Sequence, residues 1–372
     1  MPDLDLLACL GWDDAWSSAL TAHLVASDRR SAARLAPARV SRADQDSCDV
    51  LAPGPDGLRT LTAGWGASVQ RASRIDPTTA PVTGDWVVLA TPHDVAARPA
   101  VDAVLPRRSA VLRAQVDGSS HGQLLAANAD VAAVVEGMFP DPDPARIERL
   151  LALAWSSGAR PVLALTKADL VRDPDAQAAD LAALAPGVDV LVTSATAGIG
   201  LEPLRKWLAE GATVALLGAS GVGKSTLLNA LIGAPDAVMR TQSLRADGKG
   251  RHTTVTRELH LVPGGGALLD TPGMRTVGLA GAEALDEVFP EVEAFAADCR
   301  FADCTHRTEP GCAVLAAVES GDLPERRLLS YRKLLREAEH QAARTDVRLR
   351  AELTQVWKSR TREYRRRPNR KR

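Results

Sequence analysis

Gly218-Ala219-Ser220-Gly221-Val222-Gly223-Lys224-Ser225-Thr226 is the stretch on which the fold turns. Its spacing is G-x-x-x-x-G-K-[ST], the loop that cradles phosphates in nucleoside triphosphatases. The flanks agree with the letters. Thr213 to Leu217 is a short apolar run that reads as a buried strand. Ser225 to Ile232 reads as a helix, with Gly233 as its stop. Gly218, Gly221 and Gly223 let the backbone approach phosphates and turn its N–H groups inward. The helix N-terminus adds partial positive charge. Lys224 reaches the outer phosphates, and the Ser225 hydroxyl takes a place on Mg²⁺.

Outward from this loop, three strand ends carry matching signals. Thr166-Lys167-Ala168-Asp169 follows the apolar run Pro161 to Leu165. An [NT]-K-x-D element there reads a purine. The Asp169 carboxylate accepts from both the ring N–H and the NH₂ of guanine, whereas adenine offers no such donor pair, which disfavours an ATPase. The Lys167 stem covers the base plane. Ser194-Ala195 follows the strand Asp189 to Val192 and looks like the element whose backbone supports guanine. Asp270-Thr271-Pro272-Gly273 follows Ala267 to Leu269, placing a carboxylate near Mg²⁺ and the Gly273 N–H near the γ-phosphate. Between them, Asp247 to Thr254 reads as a switch segment. Thr254, ahead of Thr253, is its candidate magnesium ligand.

The order is unusual, because the base-reading elements precede the phosphate loop. The same sheet with relocated chain termini accounts for it. The strands Ala129 to Val135, Pro161 to Leu165 and Asp189 to Val192 alternate with helices at Ala145 to Ser157 and around Leu204 to Leu208, which implies a parallel sheet.

The chain is expected to be multidomain. Residues 1–37 read as a helical extension around Trp12, Trp16, Leu20 and Leu24. Residues 38–113 carry short β-like runs: Leu58 to Thr62, Ala67 to Gln70 and Val82 to Leu89. They suggest a small barrel of a kind that binds oligonucleotides. Trp65 and Trp86 are either its stacking platforms or, the better reading, its core. The α/β domain occupies 114–280. A mostly helical segment, 281–345, contains Cys299, Cys304, His306 and Cys312: three thiolates and an imidazole that suit one closed, structural Zn²⁺ site. In the tail, 346–372, nine of the last 16 residues are basic, as in segments that bind polyanions.

The whole-chain balance is neutral, 45 Lys and Arg against 46 Asp and Glu, so nucleic-acid binding must rest on local charge. No run approaches the ~20 apolar residues of a membrane span. Five cysteines, three of them clustered, fit a metal site in a reducing compartment rather than a disulfide scaffold. A soluble, cytoplasmic protein is expected.

Together the motifs make the chain resemble the circularly permuted, ribosome small-subunit-dependent GTPases (RsgA). The likeness extends to Gly84-Asp85-Trp86-Val87-Val88 and Pro106-Arg107-Arg108-Ser109. The resemblance implies an N-terminal OB-type β-barrel, a circularly permuted P-loop α/β GTPase domain and a C-terminal zinc domain. It also implies GTP hydrolysis to GDP and phosphate with Mg²⁺, stimulated by the small ribosomal subunit, whose rRNA the protein binds during late maturation. A monomer is expected. After Gly273 comes Met274, not the water-orienting Gln of many GTPases. The family shares this lack and points to His252 as the residue that positions water, so that His252 and Lys224 are the expected catalytic residues. The other reading of His252 is a contact to rRNA or phosphate alone. Met274 also leaves open a non-hydrolysing, GTP-dependent rRNA-binding module.

Overall fold

A computed structural model describes residues 4–27, 32–92, 97–113, 122–233, 257–271, 282 and 284–345. The described residues up to 112 and from 123 to 271 form one compact unit, and those from 282 onward belong to a second.

The first unit begins with helices α1 (Asp5–Ala8) and α2 (Asp14–Ala26). Asp13 caps α2, its carboxylate accepting from the N–H groups of Ala15 and Trp16. Next come β1 (Leu35–Ala43), β2 (Ser47–Gly54), β3 (Gly57–Trp65), helix α3 (Ala67–Ile75), β4 (Trp86–Ala90) and β5 (Ala100–Val104). Their order β1-β2-β3-β5-β4, closed by β4 on β1, makes the expected five-stranded barrel. Alternate residues such as Ala38, Val40, Val50, Ala63, Val87 and Val101 fill it.

Two sequence readings change here. Ala67 to Gln70 is helix, not strand. The run continues through Arg71, Ala72 and Arg74, which favour helix, and only Val69 is buried. Val82 to Gly84 precede the strand rather than belonging to it. Gly84 has φ +94°, and a Cβ there would lie 2.1 Å from the Ala127 carbonyl oxygen.

The hairpin β6 (Ala110–Arg113) and β7 (Gln123–Ala127) leads to β8 (Val131–Gly137), α4 (Pro144–Ser156), β9 (Arg160–Thr166), α5 (Pro174–Ala182), β10 (Asp189–Val192), α6 (Glu202–Ala209), β11 (Thr213–Leu217), α7 (Lys224–Ile232), β12 (Glu258–Leu261) and β13 (Ala267–Asp270). The strand order is β10-β9-β8-β11-β13-β12, parallel except for β12. β8 and β11 are buried along their whole length, which is why both read as continuous apolar runs. β12 also pairs with β1, so barrel and α/β sheet are one continuous sheet. Among the described residues, no helix is long and apolar enough to cross a membrane.

Buried charges seat the barrel. Arg39, at the centre of β1, donates to the carbonyls of Leu10, Gly84 (3.4 Å) and Asn128 (3.0 Å), and its guanidinium lies over Trp86. Asp85 receives two bonds of 2.7 Å from Arg107. Arg108 reaches Asp13 at 2.5 Å and stacks on Trp16. Trp86 is buried against Trp12 and Trp16, so it is core, and Trp65 packs against the barrel interior.

The second unit holds α8 (Leu285–Val288), α9 (Pro290–Ala296), α10 (Ala313–Ser320) and α11 (Glu325–Thr345). Phe289, Val292, Leu328 and Tyr331 are buried in it, and Arg327 pairs with Glu291 at 2.6 Å.

Arg39→Met should strand three buried carbonyls and destabilise the first unit by about 3 kcal/mol. A lowered urea midpoint checks this; an unchanged midpoint would show that the buried guanidinium holds nothing.

Candidate nucleotide and metal sites

The loops that begin at Thr166, Thr193, Gly218 and Thr271 emerge at the carboxyl ends of β9, β10, β11 and β13. Ligands bind open α/β sheets at that edge. The Gly218 loop follows β11, the central strand, and α7 starts directly at Lys224. Ser220 and Gly221 are exposed, while the Val222 side chain is sunk in the core beneath α7. Ala219, Ser225 and Thr226 are half-buried. Gly223 caps the helix without a side chain, so the first N–H groups of α7 stay open to a ligand. Lys224 is buried and folds back, donating to the Gly218 and Ala219 carbonyls at 2.8 Å each. Burial lowers its pKa, against the opposing pull of Asp270.

The loop after β9 meets the Gly218 loop. Thr166, buried at the end of β9, donates its hydroxyl to the Val222 carbonyl. Gly223 makes this approach possible: at φ +107° a Cβ there would lie 3.0 Å from Thr166 Oγ1. The next residue, Lys167, is left-handed (φ 63°), and its Nζ donates to the Phe139 carbonyl at 3.2 Å. The Asp169 carboxylate is exposed yet held. It accepts from Ser194 Oγ at 2.6 Å and from Thr196 Oγ1 at 3.3 Å. The Ser194 bond is the chief reason its pKa falls. Ser194 is itself fixed by paired backbone bonds to Ile199, and Ala195 is half-buried beside it. Sequence reasoning missed Thr196 and Phe139. A hydroxyl one residue past Ser-Ala and a carbonyl one strand away carry no motif of their own.

Asp270 ends β13, opposite Leu216 of β11. Its carboxyl is buried, and Oδ1 has no hydrogen-bond partner among the described residues. Burial pushes its pKa up to about 6; the Lys224 ammonium opposes this and the Glu258 charge adds to it. A buried, orphaned carboxylate oxygen beside a lysine ammonium fits a hard, oxygen-seeking cation such as Mg²⁺. His252, Thr253, Thr254, Gly273 and Met274 lie outside the described residues, as does the rest of the expected switch segment. An open cavity of about 470 Å³ lined by Trp155, Arg160 and Asp189 sits at the amino ends of β9 and β10, away from these loops. Its Arg160 and Asp189 already pair at 2.5 Å.

In the second unit the four expected zinc ligands converge, with all ligand atoms within 4.8 Å of one another. Cys299 Sγ lies 3.8 Å from Cys312 Sγ and 3.6 Å from His306 Nδ1, and Cys312 Sγ lies 3.5 Å from His306 Nδ1. Bonds of ~2.3 Å to sulfur in a tetrahedron demand edges of ~3.8 Å. The donor set therefore fits Zn²⁺. Cys312 caps α10, its sulfur accepting from the Leu315 N–H at 3.4 Å. Glu309 braces the loop by accepting from the N–H groups of Thr305, Arg307 and Thr308. Cys9 and Cys48 stand outside the cluster.

Thr166→Ala should weaken GDP binding about tenfold, the value of one buried hydrogen bond; equal titration curves would dissolve the link between the two loops. Elemental analysis should find one zinc ion per chain, lost in Cys312→Ala together with thermal stability of the second unit. Retention of zinc by that variant would contradict the four-ligand site.

Comparison with known proteins agrees with this geometry. Residues 104–280 match the family model described as RsgA GTPase. The small ribosomal subunit biogenesis GTPase RsgA of Streptomyces coelicolor is 48% identical over 361 residues, covering 95% of this chain and 92% of that protein. Its namesake from Methanosarcina acetivorans is 41% identical, covering 84% and 82%. The crystal structure of YjeQ from Thermotoga maritima superposes with a TM-score of 0.59 at 27% identity, over 82% of this chain and 98% of that one. YloQ, described as a circularly permuted GTPase, shares the fold, with a TM-score of 0.55 at 24% identity over 82% and 96%. With its relocated sheet order, joined motif loops and near-complete alignment to such relatives, the chain belongs to the RsgA GTPase family.

Proposed function

We propose that this GTPase hydrolyses GTP to GDP and phosphate in the late maturation of the small ribosomal subunit, with stimulation by the subunit. The observation that carries the single-nucleotide reading is the Thr166–Val222 hydrogen bond, which ties the base-reading loop to the phosphate loop. The ribosomal partner is supported by the names of the relatives.

In this reading Asp169 accepts the two guanine donors, the Lys167 stem covers the ring, and the Ser194-Ala195 backbone supports it. The amides from Gly218 to Thr226 hold the phosphates. Lys224 releases the Gly218 and Ala219 carbonyls and turns to the outer phosphates. Ser225, Thr254 and Asp270 would hold Mg²⁺, which would supply positive charge against the phosphoryl group. Gly273 offers its N–H to the γ-phosphate, and His252 orients the attacking water. Catalysis is then positioning and electrostatics, completed on the subunit. The barrel, the zinc-binding segment and the basic tail supply the rRNA contacts of a cytoplasmic monomer.

Single-turnover hydrolysis should accelerate by at least about tenfold when isolated small subunits are added. Equal rates would contradict the proposal. Complete absence of phosphate release with subunits present would select the other reading, a GTP-dependent rRNA-binding module, which Met274 favours.

A further inference from the structure

Strand β12 lies between the barrel and the phosphate-binding half of the sheet. In its register Glu258 faces Arg42 of β1 on one side and Asp270 of β13 on the other. Asp270 in turn faces Leu216 of β11. Residues paired across neighbouring strands share one face of a sheet. Leu216 and Leu268 belong to the core beneath α7. Arg42, Glu258 and Asp270 therefore form a row across three strands, on the face that carries the helix opened by Lys224. Their charges run plus, minus, minus.

Two carboxylates side by side repel, and like charges on paired strand positions destabilise a sheet. The arrangement needs cations. Arg42 Nη1 stands 3.9 Å from Glu258 Oε1, with the two side chains 44% and 38% exposed. His260 Nε2 stands 3.9 Å from Glu258 Oε2. Neither contact is short enough to absorb the Glu258 charge fully, and Asp270 Oδ1 has no hydrogen-bond partner among the described residues.

We propose that Glu258 is an additional carboxylate of the magnesium site, acting from outside the metal's direct ligands, and that Arg42 of the barrel sets how much of its charge the metal feels. The proposal rests on the reading of Asp270 as the magnesium carboxylate. Glu258 raises the local negative potential and so the affinity for a divalent cation, while Arg42 lowers it. Because Arg42 belongs to β1, magnesium affinity depends on how the barrel is seated against β12.

The test is a Mg²⁺ titration of the full chain bound to a fluorescent GDP analogue. Glu258→Gln should weaken magnesium binding about three- to tenfold, as expected for one charge several ångströms from a divalent ion. GDP binding in chelator should not change. Arg42→Gln should tighten magnesium binding by a similar factor. The double variant should fall near the unaltered chain, since the two opposite charges act together on the metal. Glu258→Asp keeps the charge and should keep the affinity within about twofold, which a purely structural role would not produce. Unchanged magnesium affinity in Glu258→Gln or in Arg42→Gln would overturn the proposal. Failure of the unaltered chain to bind GDP even with magnesium would instead overturn the nucleotide-site reading beneath it, and the chelator arm separates the two failures.

Discussion

One hydroxyl holds the candidate nucleotide site together. A nucleotide fixes the distance between its base and its phosphates covalently, so the loops that serve each end must keep one separation. Here the two loops come from stretches 56 residues apart, and the Thr166 hydroxyl joins them at the Val222 carbonyl. The bond is buried, where the cost of leaving such a carbonyl without a partner makes it hard to give up. Val222 anchors its own end by sinking its side chain into the core under α7. Thr166 and Gly223 are matched: the threonine reaches the loop because the glycine leaves the space.

The permuted order has a mechanical consequence. The chain enters the α/β sheet at β8, runs outward to β10, returns to the centre at β11 and leaves from β13. The barrel strands precede all of these, yet β1 pairs with β12, the outermost strand of the α/β half. The Thr83 hydroxyl adds a bond of 3.2 Å to the Arg257 carbonyl, just before β12 begins. A barrel carried on a flexible linker would have no reason to hydrogen-bond there. Sharing a sheet makes strand pairing the joint, and strand pairing transmits register directly, because a slip of one residue would turn every side chain of β12 to the opposite face.

Much of this was legible in the residues. β10 and β11 fall where apolar runs bounded by turns placed them, and Cys299, Cys304, His306 and Cys312 meet as their chemistry required. These signals are local or chemically rare. The misread Ala67 to Gln70 shows the limit, for four residues cannot distinguish period 2 from period 3.6 when only Val69 is buried. Thr196 shows another. Its contact with Asp169 depends on a turn closed by Ser194 and Ile199, which pairs two strand-following loops in space and leaves no spacing to read.

The same limit explains why Gly84-Asp85-Trp86 and Pro106-Arg107-Arg108-Ser109 could be matched to a family but not interpreted from their letters. Each is half of a contact. Asp85 meets Arg107, Arg108 meets the Asp13 cap of α2, and Ser109 Oγ reaches the Ala129 carbonyl at 2.6 Å. Trp86 supplies the ring beneath Arg39. Apolar packing alone could seat a barrel in several rotations at similar cost, since burial is not directional. Paired charges and aimed carbonyls are directional, and a wrong rotation would leave a guanidinium and three carbonyls buried without partners. Polar groups at this junction therefore select one orientation of barrel against sheet. That orientation brings Arg42 opposite Glu258 and, through it, into one row with Asp270 of β13.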